Sequence, residues 1–109
     1  FDSSVPAGAE WLLRFERAVD LCASLAWRLH TMGAGVRFRA GRPAEDQPEA
    51  LENVYDILRY LALVEAAVDG PALAVEPSGL FQVIFTASAA TRPRFLPESS
   101  YHCYYLENL

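Results

Sequence analysis

A chain of 109 residues with 52% hydrophobic and 21% charged side chains has the composition of one globular core, which excludes intrinsic disorder and leaves little room for a second domain. Its net charge of -5 and pI near 4.9 oppose nucleic-acid binding, because phosphate contacts need clustered positive charge. Two cysteines, Cys22 and Cys103, are too few and too distant for a disulfide scaffold and read as small buried residues of a reducing, cytoplasmic compartment.

All nine basic residues are arginine, which is either an arginine-rich interaction surface or, more simply, the codon bias of a GC-rich genome. The most apolar stretch, residues 61–75, is interrupted by Glu65 and Asp69 and falls short of the ~20 apolar residues that span a membrane. The first residues carry no basic and apolar leader pattern, so the chain is expected to be soluble.

In chain order, Phe1-Asp2-Ser3-Ser4-Val5-Pro6 reads as the end of a strand whose body lies upstream, so the chain is expected to be a truncated α/β domain, the carboxyl-terminal part of a longer protein. From Glu10, Leu12, Phe15, Val19, Cys22, Ala26 and Leu29 recur at steps of three and four, the spacing of a helix with one apolar stripe. Ala18, Leu21, Leu25 and Met32 add a second stripe, so the helix should be deeply packed. Its polar side holds Arg14, Arg17, Asp20, Ser24 and Thr31, with Glu10 and Arg14 spaced for an ion pair of ~0.3 kcal/mol. Gly33 supplies the left-handed cap that ends the helix.

Val36 and Phe38 alternating with Arg37 and Arg39 predict a strand with one wet side or near an edge. Asp46, followed three residues later by Glu49, has the spacing of a capping box with Pro48 in the first turn, which predicts a second helix from near Gln47. Leu51, Val54, Leu58 and Leu61 form its expected inner stripe, joined by Ile57, Ala62, Val64 and Val68, and Asp69-Gly70-Pro71 ends it. Residues 72–79 are either a short strand or a loop. Residues 80–86, Leu-Phe-Gln-Val-Ile-Phe-Thr, give the strongest strand signal and the expected centre of the sheet. A loop containing Arg92-Pro93-Arg94 follows, and then a final strand from Tyr101. Glu107-Asn108-Leu109 has the look of a residual protease-cleavage sequence. Strands alternating with helices predict a single layered α/β domain with a mostly parallel sheet and flanking helices.

Asp2-Ser3-Ser4 falls where α/β domains place ligand groups, at a strand's carboxyl end, and its oxygens suit a hard cation such as magnesium. An adhesion-type metal motif reads Asp-x-Ser-x-Ser, however, and Pro6 stands where the third ligand belongs, so Asp2 and Ser4 are candidate ligands beside the plainer role of capping a turn. Ser3 or Ser4 is the candidate hydrolase nucleophile and would need a base and an orienting acid, but no Gly-x-Ser-x-Gly elbow is present and no motif ties His30 or His102 to them. The histidines and cysteines lack the paired short spacing of a zinc site, and no phosphate-cradling glycine loop exists. Trp27 lies between Ser24 and Thr31 on the polar side of the first helix, either leaning sideways onto the fold or serving as an interface anchor. Arg92 and Arg94 are candidates for binding an acidic partner, or simply keep their loop in water.

The residues Phe15-Glu16-Arg17-Ala18-Val19, Ala23-Ser24-Leu25-Ala26, Gly33, Gly35-Val36 and Ile57-Leu58-Arg59-Tyr60-Leu61-Ala62 carry a resemblance to the bacterial domain of unknown function 58 family. The resemblance covers roughly residues 2–85 and corresponds to the carboxyl-terminal part of a typical member. It implies a von Willebrand factor A-like, Rossmann-like fold and a protein-interaction role beside a MoxR-type AAA+ ATPase in assembly or maturation. It also implies a position on the cytoplasmic side of a membrane-anchored parent. The competing expectation is a hydrolase-type enzyme with Ser3 or Ser4 as nucleophile. If a strand is missing, its bare sheet edge is expected to favour self-association.

Overall fold

A computed structural model describes residues 1–40, 49–68, 80–88 and 101–109. In these residues the chain runs β1 (Ser4–Val5), α1 (Ala9–Thr31), β2 (Phe38–Ala40), β3 (Glu49–Leu51), α2 (Val54–Leu63), β4 (Ala67–Val68), β5 (Gln82–Thr86), β6 (Tyr101–Tyr105) and a closing 3-10 turn, Leu106–Asn108. The class is mixed α/β: β1 pairs with β4 and β5 with β6 in parallel, while β2 and β3 are antiparallel.

Single backbone bonds around the first residues link these three ladders. The Phe1 amino group donates to the Arg39 carbonyl at 2.7 Å. The Asp2 amide donates to Phe85 at 2.9 Å, and the Ala67 amide to Ser3 at 2.8 Å. Partners that alternate from side to side in this way mark an extended strand with a neighbour on each edge, β2 and β4 on one and β5 on the other. The opening residues, which read in sequence as a strand's frayed end, are thus the hub of the described strands. Burial pushes the Phe1 amino group below its ordinary pKa, with the Cys22 and Asp2 sites opposing the shift.

The long helix follows from its spacing. Phe15, Ala18, Val19, Cys22 and Ala26 are buried along one face of α1. Glu10 and Arg14 pair at 2.6 Å, and the Arg14 guanidinium also lies 5.1 Å from the centre of the Trp11 ring. Gly33 at φ 76° ends the helix in a Schellman motif, its amide reaching His30 and that of Ala34 reaching Leu29. Leu12 and Met32, expected in the packed face, are exposed at 46% and 72%, because they sit near the helix ends beyond the elements that cover its centre.

The second helix begins later than the capping-box spacing suggests. Residues 49–51 pair with β2 as strand β3, with Phe38 opposite Leu51, and Asn53 caps α2 by accepting a 2.9 Å bond from the Tyr55 amide. Cross-strand pairing at Leu51 outweighs the local helix signal there, and an Asx cap four residues before Ile57 sets the new start. The inner stripe of α2 is accordingly Val54, Ile57 and Leu61, with Leu58 and Val64 half-buried and Ala62 exposed. The helix stops at Leu63, since Val64 is already extended, and Val68 belongs to β4. Asp46, Pro48, Asp69-Gly70-Pro71 and residues 72–79 lie outside the described residues.

The predicted strands at residues 36–40, 80–86 and from Tyr101 appear as β2, β5 and β6. Phe38 and Ala40 are buried while Arg39 is exposed, as the alternation predicts. Burial of β5 on both faces holds for Ile84, Phe85 and Thr86 only; Leu80 and Phe81 before it are exposed. The chain's last residues are not a detached tail here. Leu106 is fully buried, Glu107 donates to the Ala87 carbonyl, and Arg17 donates to the Leu109 carbonyl.

Candidate functional site

Side chains alternate along the opening strand, and the alternation splits Asp2-Ser3-Ser4 between two faces. Asp2 turns toward the end of β5. One carboxylate oxygen accepts the Ser4 amide at 3.0 Å, an Asx turn of the sort aspartate forms two residues ahead of itself. The other accepts the Thr86 hydroxyl at 3.3 Å. Asp2, Ser3, Ser4 and Thr86 are all buried polar residues, the only ones among the described residues. Thr86 was not singled out by the sequence; its one signal is its place as the first polar residue after the apolar run of β5.

Asp2 and Thr86 bring a carboxylate and a hydroxyl together, oxygens that suit a hard cation by donor type, while Ser4 meets Asp2 through its backbone amide. This grouping contains a single carboxylate, both of whose oxygens already accept hydrogen bonds, and no group of three or more acidic, histidine or cysteine side chains occurs among the described residues. A cation bound here would have to displace the Thr86 hydroxyl or share an oxygen with it. Adding magnesium is therefore expected to leave the melting temperature unchanged. A rise that a chelator reverses would show that Asp2 and Ser4 hold a metal after all.

Ser3 points the other way, into a cleft lined by Leu51, Asp56, Arg59, Tyr60, Leu63 and Glu65 among others. Neither histidine accompanies it. His30 stacks among Trp27 and Tyr55, and His102 packs edge-on against Tyr104 at 4.7 Å. A histidine base for a serine nucleophile is therefore not beside Ser3 among the described residues.

Compared with protein-family models, with curated proteins and with solved structures, the chain matches none. The functional reading must come from its own surface. There the structure places Trp27 in company that the sequence did not reveal. Its ring lies 5.5 Å from that of His30, one turn further along α1, and 6.3 Å edge-on from Tyr55 at the start of α2. His30 and Tyr55 close the triangle at 6.3 Å. Three rings from two helices thus meet at the surface, with Trp27 43% and Tyr55 64% exposed. Trp27 leans onto a neighbouring helix and stays accessible. His30 follows Trp27 by three residues on α1, a spacing the sequence does show, whereas Tyr55 comes beside Trp27 only through helix packing, which no local spacing encodes. Arg92 and Arg94 lie outside the described residues.

The cysteines are free thiols. Cys22 is sealed in the core, and burial pushes its thiol up to about 11, which suppresses the reactive thiolate at neutral pH.

Proposed function

We propose that this chain is a protein-interaction domain, von Willebrand factor A-like in fold, that docks a partner on the exposed Trp27, His30 and Tyr55 cluster. The observation that supports the reading most is the pairing of Trp27 and Tyr55, two large aromatic side chains held edge to face across two helices while much of each remains exposed. Tryptophan, tyrosine and arginine dominate the energetic centres of protein interfaces, and a ring already positioned by a neighbouring helix loses little freedom when a partner covers it. Arg28, exposed, adds the third residue type next to Trp27 in sequence. The resemblance supplies the partner class: a MoxR-type AAA+ ATPase working in assembly or maturation, with the domain on the cytoplasmic side of a membrane-anchored parent. Among the described residues no helix is long and apolar enough to cross a membrane.

The test is equilibrium binding of the purified chain to a MoxR-type ATPase of the same genome with ATP present. The parent chain is expected to bind, and truncating Trp27 and Tyr55 together to alanine is expected to weaken binding at least tenfold, the effect of ~1.4 kcal/mol. Both side chains are largely exposed, so the variant's melting temperature should stay within a few degrees of the parent's. An ATPase that does not bind the parent removes the partner assignment. Equal binding by the double variant removes the surface.

A further inference from the structure

The cleft on the other face of the opening strand is independent of the aromatic cluster and of the Asp2 hydrogen bonds. Its volume is about 810 Å³, within the range of roughly 300–1,000 Å³ typical of small-molecule sites. Ser3 forms part of its lining and is only 4% exposed. Its side chain makes no hydrogen bond, and since no sealed side-chain oxygen or nitrogen among the described residues lacks a partner, the Ser3 hydroxyl opens into the cleft. A hydroxyl that faces a cleft with no protein partner is available to a ligand, whose hydrogen bond takes the place that solvent otherwise fills.

The rest of the lining has a definite chemistry. Leu51, Tyr60, Leu63 and Val64 supply apolar walls from β3, α2 and the segment that follows it. Arg59 brings one guanidinium, and Asp56 and Glu65 bring two carboxylates. None of the three joins an ion pair: the described pairs are Arg14 with Glu10 and Arg37 with Glu52. A cleft with an unpaired cation, unpaired anions, an open hydroxyl and apolar walls is complementary to a zwitterion with an apolar body.

We propose that this cleft binds an apolar α-amino acid or the corresponding short peptide, its carboxylate on Arg59, its ammonium on Asp56 or Glu65, and its side chain against Leu51, Tyr60 and Leu63. The Ser3 hydroxyl donates to or accepts from the ligand's polar end at the floor. Guanidinium and carboxylate form the strongest of these bonds, because both partners are charged and the fork geometry permits two parallel contacts. The same chemistry is offered by a free amino acid and by a dipeptide, and the larger ligand fills more of the cleft.

The experiment is amide chemical-shift titration of the whole chain with L-leucine and with L-leucyl-L-leucine, using N-acetyl-L-leucine and L-leucinamide as ligands that each lack one charge. Saturable shifts at residues of the cleft are expected with at least one of the two zwitterions, at concentrations up to about 20 mM. Tighter binding of the dipeptide identifies a peptide end as the ligand, and tighter binding of leucine the free amino acid. Each single-charge analogue, and the zwitterion against the exposed-site variant Arg59→Gln, is expected to bind at least tenfold more weakly. The Ser3→Ala variant serves as a second probe at a position where loss of one oxygen leaves the strand intact. Absence of saturable shifts with both zwitterions overturns the proposal, as does a loss smaller than tenfold in Arg59→Gln with its spectrum otherwise that of the folded parent. None of these outcomes bears on the Trp27 surface, which the ATPase binding measurement tests separately.

Discussion

Replacing Phe15 by alanine is expected to destabilise the chain by about 3–5 kcal/mol and to bring it close to unfolding, since a domain of this size has only about 5–15 kcal/mol in total. Phe15 is 1% exposed at the centre of the α1 inner face. Its ring meets Phe1 edge-on at 5.8 Å; Phe1 in turn lies 5.7 Å from Phe85, and Phe85 stacks on Tyr104 at 5.1 Å. Four rings thereby tie α1 to the opening strand, β5 and β6 in succession. Removing the first leaves a cavity in a close-packed cluster of rings, so the cost should fall in the upper part of the range for a phenylalanine truncation. The comparison is Leu12→Ala on the same helix. Leu12 is 46% exposed, so its loss should cost under about 1 kcal/mol. Urea unfolding of the two variants measures the difference, and equal midpoints would show that the aromatic chain does not organise the core.

How much of this was legible in the sequence depends on which interactions fix each element. Local ones were: the three-and-four spacing through Phe15, Val19, Cys22 and Ala26 gave α1 its buried face, Gly33 gave its end, and the apolar runs before Thr86 and from Tyr101 gave β5 and β6. Elements that exist only through partners were hidden. Residues 49–51 are strand because β2 lies opposite, and Ala67–Val68 because β1 does; each has too few residues to carry a period of its own. The Asp46 and Glu49 spacing was a helix signal with no tertiary veto visible in it. Asp2, Ser4 and Trp27 were picked out by residue type and position, and His30 stands three residues from Trp27 on the same helix, but Thr86 and Tyr55 come beside them only through the fold. Thr86 lies 84 positions from Asp2 and Tyr55 lies 28 from Trp27, separations that only the fold brings together.

Asp2 carries two readings from the sequence, a metal ligand and the cap of a turn, and its substitution separates them. As a metal ligand it would be dispensable to the apo fold. As a bridge it holds the opening strand to β5, since its backbone amide donates to Phe85 while its carboxylate accepts from Ser4 and Thr86. Asp2→Ala removes the acceptor of both described bonds, from the Ser4 amide and the Thr86 hydroxyl, and at about 1–3 kcal/mol for each buried bond a loss of about 2–4 kcal/mol is expected. Asp2→Asn keeps one oxygen for the Ser4 amide but turns an amide group toward the Thr86 hydroxyl, which can then only act as acceptor, and should cost about 1 kcal/mol. Thr86→Val tests the longer bond directly. In the Asp2→Ala background the bond from Thr86 to Asp2 is already gone, so Thr86→Val should be less harmful there than alone, giving a coupling of about 0.5–1.5 kcal/mol in the double-mutant cycle. Additive losses would mean that the 3.3 Å contact carries no energy and that Asp2 acts on the turn at Ser4 alone. The bridge also explains why this carboxylate can stay buried without a cationic side chain beside it in the described hydrogen bonds: a backbone amide and a hydroxyl, both held by strands it helps to join, take the place that water has at the surface.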